Sequence, residues 1–310
     1  MIRFSQKARG LLLAGIACGA AAGAFAQKVF TGKVHETFDS PEGWALKYFT
    51  SATIMSGLQP PDMPGEHRQF GSVNLGFESD WLPELNAERA RVGFSGHKQE
   101  DLNKVPVVLR PVLRVGLPWQ FTAFAAAPPP WEAFGVTPRL VAFGLERPLV
   151  RRERWTLGWR ASGQVGSVKA AFTCPQQVLG FPAGSPENPS GCVGLSADTA
   201  SLRYGGTEIQ AAARIPKVRR LTPHVALGYN YINSSFQLNA PIKQGLDRTF
   251  LWTAGNTVTG SAGASYLLTN RMALTVDAFY TPLFIRRDNV GGRVNDGLFN
   301  VRALVSYTLR

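Results

Sequence analysis

FLWTAGNTVTGSAGASY, residues Phe250 to Tyr266, opens a stretch running to Leu309 that decides the fold. Phe250, Trp252, Ala254, Val258, Ala262, Ala264 and Tyr266 fall on one parity; Thr253, Gly255, Thr257, Thr259, Ser261, Gly263 and Ser265 fall on the other. Two more runs repeat the pattern. Met272, Leu274, Val276, Ala278 and Tyr280 oppose Arg271, Thr275 and Asp277; Phe299, Val301, Ala303, Val305, Tyr307 and Leu309 oppose Asn300, Arg302, Ser306 and Thr308. Side chains on a strand point alternately to its two faces, so this period predicts strands with one apolar side. The runs exceed the ~5–6 residues usual in soluble sheets. Aromatics near their ends, with small polar residues opposite, fit strands between lipid and a polar lumen.

Working outward, the N-terminus reads as a processing segment. Arg3, Lys7 and Arg9 precede an apolar stretch from Leu11 to Ala22, and Ala24-Phe25-Ala26 forms an A-x-A cleavage site. Gly15 stands where a lipobox carries Leu, which argues against lipidation at Cys18. Residues 1–26 are therefore expected to be a signal peptide. Their loss lowers the formal net charge from +12 by the three charges of Arg3, Lys7 and Arg9. No apolar run after Gln27 approaches the ~18 residues of a membrane helix. A spanning chain without helices must satisfy its backbone between strands, as a closed barrel does.

The alternation predicts about twelve strands, with ten or fourteen if a hairpin is miscounted. They are placed at 44–56, 68–79, 88–96, 105–117, 119–127, 136–146, 153–172, 200–215 and 222–238, followed by the three runs above. Residues 27–43 show no period and are expected in the periplasm or in the barrel mouth; 44–310 form the barrel. Pro111 inside a strand is a warning, because proline cannot donate to the ladder. Long connections (57–66, 97–104, 128–135, 173–198, 239–247, 288–296) alternate with shorter ones. Such alternation places long loops outside the cell and both termini in the periplasm.

Cys174 and Cys192 remain after cleavage, an even count that favours a disulfide in an exported chain. Closing this Pro- and Gly-rich loop contributes about 3 kcal/mol in the chain-entropy account. Two cysteines without a neighbouring histidine do not make a zinc set, so no metal and no cofactor are expected.

From Trp44 to Arg310, with the signal peptide, the chain resembles the bacterial outer-membrane β-barrel proteins. Tyr307 fits their alternating C-terminal signature, whereas the terminal Arg310 departs from their usual aromatic ending. The resemblance implies an all-β up-and-down antiparallel barrel in the outer membrane. Its partners would be outer-membrane lipid and, during biogenesis, the barrel-assembly machinery.

The candidate site is basic. Arg89, Arg91, Arg110, Arg114, Arg160, Arg214 and Arg302 fall on inferred inward faces. A lumen lined with one sign of charge selects the opposite ion. This predicts a narrow passive channel for small, preferentially anionic solutes. Against it stands a simpler expectation: the arginines pair with inward Glu78, Glu208 and Asp277 and pack the interior. The alternative function is then a non-conducting barrel acting through its disulfide-closed loop. His35, His67, His97 and His224 accompany no nucleophile motif, so no enzyme and no catalytic residue are expected. Export and the absence of a groove-reading motif argue against a nucleic-acid partner. Outward Trp155, Trp159, Tyr229, Tyr266 and Tyr307 read as girdle residues.

Overall fold

The alternating runs become one closed wall. A computed structural model describes residues 28–60, 70–93, 95–287 and 291–309; the expected signal peptide and His67 lie outside these residues. Ten antiparallel strands form the wall: β1 (Val73–Trp81), β2 (Val107–Gly116), β3 (Thr122–Ala126), β4 (Val136–Arg151), β5 (Trp155–Ala170), β6 (Tyr204–Ala213), β7 (Leu221–Gln237), β8 (Phe250–Leu267), β9 (Met272–Thr281) and β10 (Leu298–Thr308). Each pairs with its neighbour in sequence. The ring closes where β10 pairs with β1, from Val301↔Trp81 to Thr308↔Asn74. Two short strands add to these ten: Lys33–His35 bonds to the end of β8, and Asp198–Ser201 pairs with both β5 and β7, in line with β6. Counting these, about twelve strands make the sheet, and ten make the barrel.

The burial pattern inverts that of a soluble protein. Large apolar side chains such as Leu75, Phe77, Leu113, Val165, Leu227, Val258 and Val305 are exposed on the outside. Thr253, Thr257, Thr259, Ser261 and Ser265 are buried on the inner face of β8. An outward apolar face over a polar inner one is the pattern of a membrane barrel. Trp155, Tyr229, Tyr266 and Tyr307 face outward as expected, and Trp159, half-exposed, donates to Thr207 Oγ1 at 2.7 Å. The architecture is that of an outer-membrane β-barrel. Pro111 keeps its place in β2: its carbonyl accepts from Ala127, where β3 has ended. The missing donor thus faces the point where the neighbouring strand leaves the ladder.

Connections at one end are short (117–121, 152–154, 214–220, 268–271); those at the other are long (82–106, 127–135, 171–203, 238–249, 282–297). The long loops carry the Cys174–Cys192 disulfide, which is formed.

Two expected strands are corrected. Residues 44–56 are not wall. Pro41–Ser51 form a helix, α1, and the chain then runs as an irregular segment inside the barrel. The local cause is a cap: Ser40 Oγ accepts from Gly43 N at 3.1 Å, and Pro41 occupies the first turn. The global cause is that a closed ring leaves no free edge for another strand. Residues 88–96 also stand outside the wall. Among the described residues of this range only Arg91–Gly93 is extended, paired with Lys98–Gln99 inside the loop 82–106, because β1 pairs directly with β2.

The two ends of the described chain are also not on one side. Lys33–His35 runs alongside Phe250–Trp252 at the long-loop end, whereas Leu309 bonds Val73 at the short-turn end. The N-terminal segment therefore enters the barrel from the long-loop mouth.

Candidate functional site

The inner wall collects most of the charged residues singled out from sequence. Glu78 (β1), Arg110 and Arg114 (β2), Arg160 (β5), Glu208 (β6), Asp277 (β9) and Arg302 (β10) are all buried on it. Arg89, Arg91 and Arg214 are corrections. Arg89 and Arg91 belong to the mouth loop, where Arg89 Nη2 donates to the Gly297 carbonyl at 2.6 Å. Arg214 is exposed beyond the end of β6, at the short-turn end. Asp80, Glu146 and His224 were missed, although Asp80 shares the parity of Glu78, which is the signal that would have found it.

The arginines do not face an empty lumen. Arg110 pairs with Glu78 and, at 2.7 Å, with Asp80. Arg114 and Arg160 each meet Glu146 at 2.8 Å, and Arg160 meets Glu208 at 3.2 Å. Arg302 lies 3.6 Å from Asp80 and stacks on Phe279, 3.8 Å from its ring centre. His224 Nε2 stands 3.4 Å from Asp277 Oδ2. Among the described wall residues, four buried arginines face five buried carboxylates, Glu78, Asp80, Glu146, Glu208 and Asp277. The interior is thus not lined by one sign of charge.

What these groups hold is the chain itself. Segment 52–59 lies buried along the lumen. An irregular segment away from water needs a partner for each main-chain polar group. The wall provides donors for its carbonyls. Arg110 Nη1 donates to Thr53 O at 2.8 Å, Arg302 Nη1 to Ile54 O at 2.8 Å, and Arg160 Nη1 to Gly57 O at 2.6 Å. It also provides acceptors for its amides. Met55 N donates to the Tyr204 hydroxyl at 2.8 Å, Gly57 N to Glu208 Oε2 at 3.0 Å, and Leu58 N to Asp277 Oδ2 at 2.8 Å. Ser56 Oγ donates to Glu208. The side chains of Met55 and Leu58 pack on an apolar patch of the same wall, Val112, Phe124, Ala126, Ala142 and Leu304. Gly57 turns the segment with φ +70°, and an added Cβ would collide with Asp277 and Ser261. Mixed arginines and carboxylates supply donors and acceptors together, the complement of a peptide backbone.

Above this plug, α1 closes the mouth. Trp44 and Tyr48 stack with ring centres 5.2 Å apart and are fully buried with Ile54, Phe279, Leu283, Ile285 and Leu298. Lys47 Nζ donates to the carbonyls of Phe38 (2.7 Å) and Phe284 (2.9 Å). Burial pulls the Lys47 ammonium down to about 8. The outer side of α1 faces a cavity of about 550 Å³, roofed by the disulfide loop and lined by Leu46, Phe49, Phe172 and Phe236. Phe49, Phe172 and Phe236 form a chain of ring contacts, with centres 5.2 and 5.8 Å apart. Glu36, Glu42 and Glu100 stand in the same lining. Burial holds the Glu42 carboxyl above its ordinary value and pushes Glu100 up to about 7, against the pull of Lys98 at 2.8 Å.

No family model matches the chain, and no curated protein does. Solved structures similar to it are barrels. The outer membrane protease OmpT from Escherichia coli shows 13% identity over 77% of this chain and 94% of that one, with TM-score 0.37. Ail, the attachment invasion locus protein of Yersinia pestis, shows 9% identity over 77% of this chain and 99% of that one, with TM-score 0.31. The Ralstonia pickettii toluene transporter TbuX shows 10% identity over 84% of this chain and 96% of that one, with TM-score 0.28. At these identities the likeness concerns barrel layout and not chemistry.

Proposed function

We propose that the protein is an outer-membrane barrel closed across its lumen by its own segment 52–59, and that it works at its long-loop mouth. The supporting observation is the bonding of that segment's backbone to Arg110, Arg160, Arg302, Glu208 and Asp277. An anion-preferring pore would need cations turned toward water. Here they are engaged with carbonyls and carboxylates. Short turns face the periplasm and longer loops the exterior in bacterial barrels, so the mouth and its disulfide loop face outward.

Planar-bilayer conductance of the refolded mature chain tests this reading. The intact barrel is expected to insert without conducting, and a variant lacking residues 28–59 to conduct without anion preference. Anion-selective steps from the intact chain, reduced by Arg110→Glu or Arg160→Glu, would restore the open-pore reading.

A further inference from the structure

We infer that the cavity in the mouth binds a small apolar molecule carrying one protonated amine. This rests on reading the mouth as the working surface. At about 550 Å³ the cavity falls in the range of small-molecule sites, which are mostly apolar with a few placed polar groups. Phe49, Phe172 and Phe236 supply a continuous aromatic wall suited to a ring or hydrocarbon body.

The charge of the lining selects the head group. Glu36, Glu42, Glu100 and Asp247 stand against the single cation Lys243. Two of the four carboxylates are already satisfied. Glu100 pairs with Lys98 at 2.8 Å, and Asp247 Oδ1 accepts from the Thr249 amide at 2.9 Å and its hydroxyl at 2.7 Å. Glu36 and Glu42 remain. Glu36 accepts from the Ser40 hydroxyl at 2.8 Å and Glu42 from the Ser95 amide at 2.6 Å, and neither has an ion-pair partner among the described residues. Both line the same cavity, where burial first and then the charge of Glu36 hold the Glu42 carboxyl up. A cation placed between them would relieve both effects. Apolar walls exclude a hydrated metal ion and leave an ammonium on a hydrocarbon body as the matching chemistry.

The test uses the full mature chain in phosphatidylcholine nanodiscs, with empty nanodiscs as blank. It is titrated calorimetrically with 4-phenylbutylamine, 4-phenylbutan-1-ol and 4-phenylbutyrate, which share a body and differ in charge. The amine is expected to bind about tenfold more tightly than the alcohol, as one charge-assisted contact allows, and the carboxylate more weakly than either. Combined Glu36→Gln and Glu42→Gln substitution should bring the amine to the alcohol's level, and Phe49→Ala should weaken both. Heat-modifiable gel migration verifies that each variant is a folded barrel. Equal binding of amine and carboxylate, amine binding indifferent to the glutamine pair, or no amine binding by the folded protein would overturn the assignment. A silent barrel that ignores the amine leaves the closed-lumen reading intact. A conducting barrel that binds the amine overturns that reading alone.

Discussion

Arg302 and Ile54 stand 248 positions apart in the chain, and the guanidinium of one donates to the main-chain carbonyl of the other at 2.8 Å. The same nitrogen reaches Ser56 O at 3.2 Å, and the guanidinium faces Asp80 at 3.6 Å. One wall residue thus holds the plug and neutralises a buried acid.

Replacing Arg302 by Met keeps much of its volume and removes the donor. Asp80 then keeps Arg110, and the carbonyls of Ile54 and Ser56 lose a guanidinium donor. Breaking a buried charge pair on one side costs about 3–5 kcal/mol. The expected outcome is a lowered denaturant midpoint together with faster amide exchange across 52–59. Unchanged exchange there would mean that Arg302 does not hold the plug.

Gly57→Ala tests the plug without replacing a wall residue. The new Cβ would meet Asp277 and Ser261, at a backbone φ of +70° that alanine adopts poorly. The wall strands should remain intact by circular dichroism while the segment shifts. Protease access to 52–59 from the outside, or conductance where the parent is silent, reports that shift.

The disulfide should matter locally. Cys192 bridges to Ile242, and Lys243 N donates to Gly191 O at 2.8 Å, so the loop 174–192 braces the loop 238–249. Joint Cys174→Ser and Cys192→Ser substitution should raise amide exchange in both loops. The barrel's heat-modifiable migration should not change, because the ten-strand ring does not depend on the loop.

Glu100 gives the mouth a pH dependence. Burial pushes its carboxyl from the ordinary 4.5 up to about 7. A raised carboxyl means that the folded loop binds the proton more tightly than the unfolded one. The stability it contributes is fully present below about 4.5 and is lost as pH rises through about 7. Amide protection of residues 91–102, corrected for intrinsic rates, should therefore be higher at the acid end of this window than above it. Glu100→Gln should remove the difference.

The wall strands were legible because strand alternation is a local property. Phe250 to Tyr266 reveals its two faces without reference to any other residue, and so do the runs at 272–280 and 299–309. Helix α1 was legible in part: Ser40-Pro41 before Trp44 and Tyr48 at helical spacing is a start signal, yet a weak alternation over 44–56 masked it. The wall strand expected at 88–96 fails for the opposite reason. Its alternation is genuine over three residues, Arg91–Gly93, but β1 already has β2 and β10 as partners.

By itself the sequence determined the all-β barrel, its polar inside and apolar outside, and the two cysteines that join. Each follows from periodicity or from residue type. Only the tertiary structure decided that the inward arginines hold a peptide segment instead of lining an open path. Glu146 meets Arg114 and Arg160, and Asp80 meets Arg110 and Arg302, because ring closure sets the register of β1, β2, β4, β5 and β10. A charge on an inner face has no assigned partner until the ring closes and the lumen is narrow enough for opposite walls to share one strand of chain.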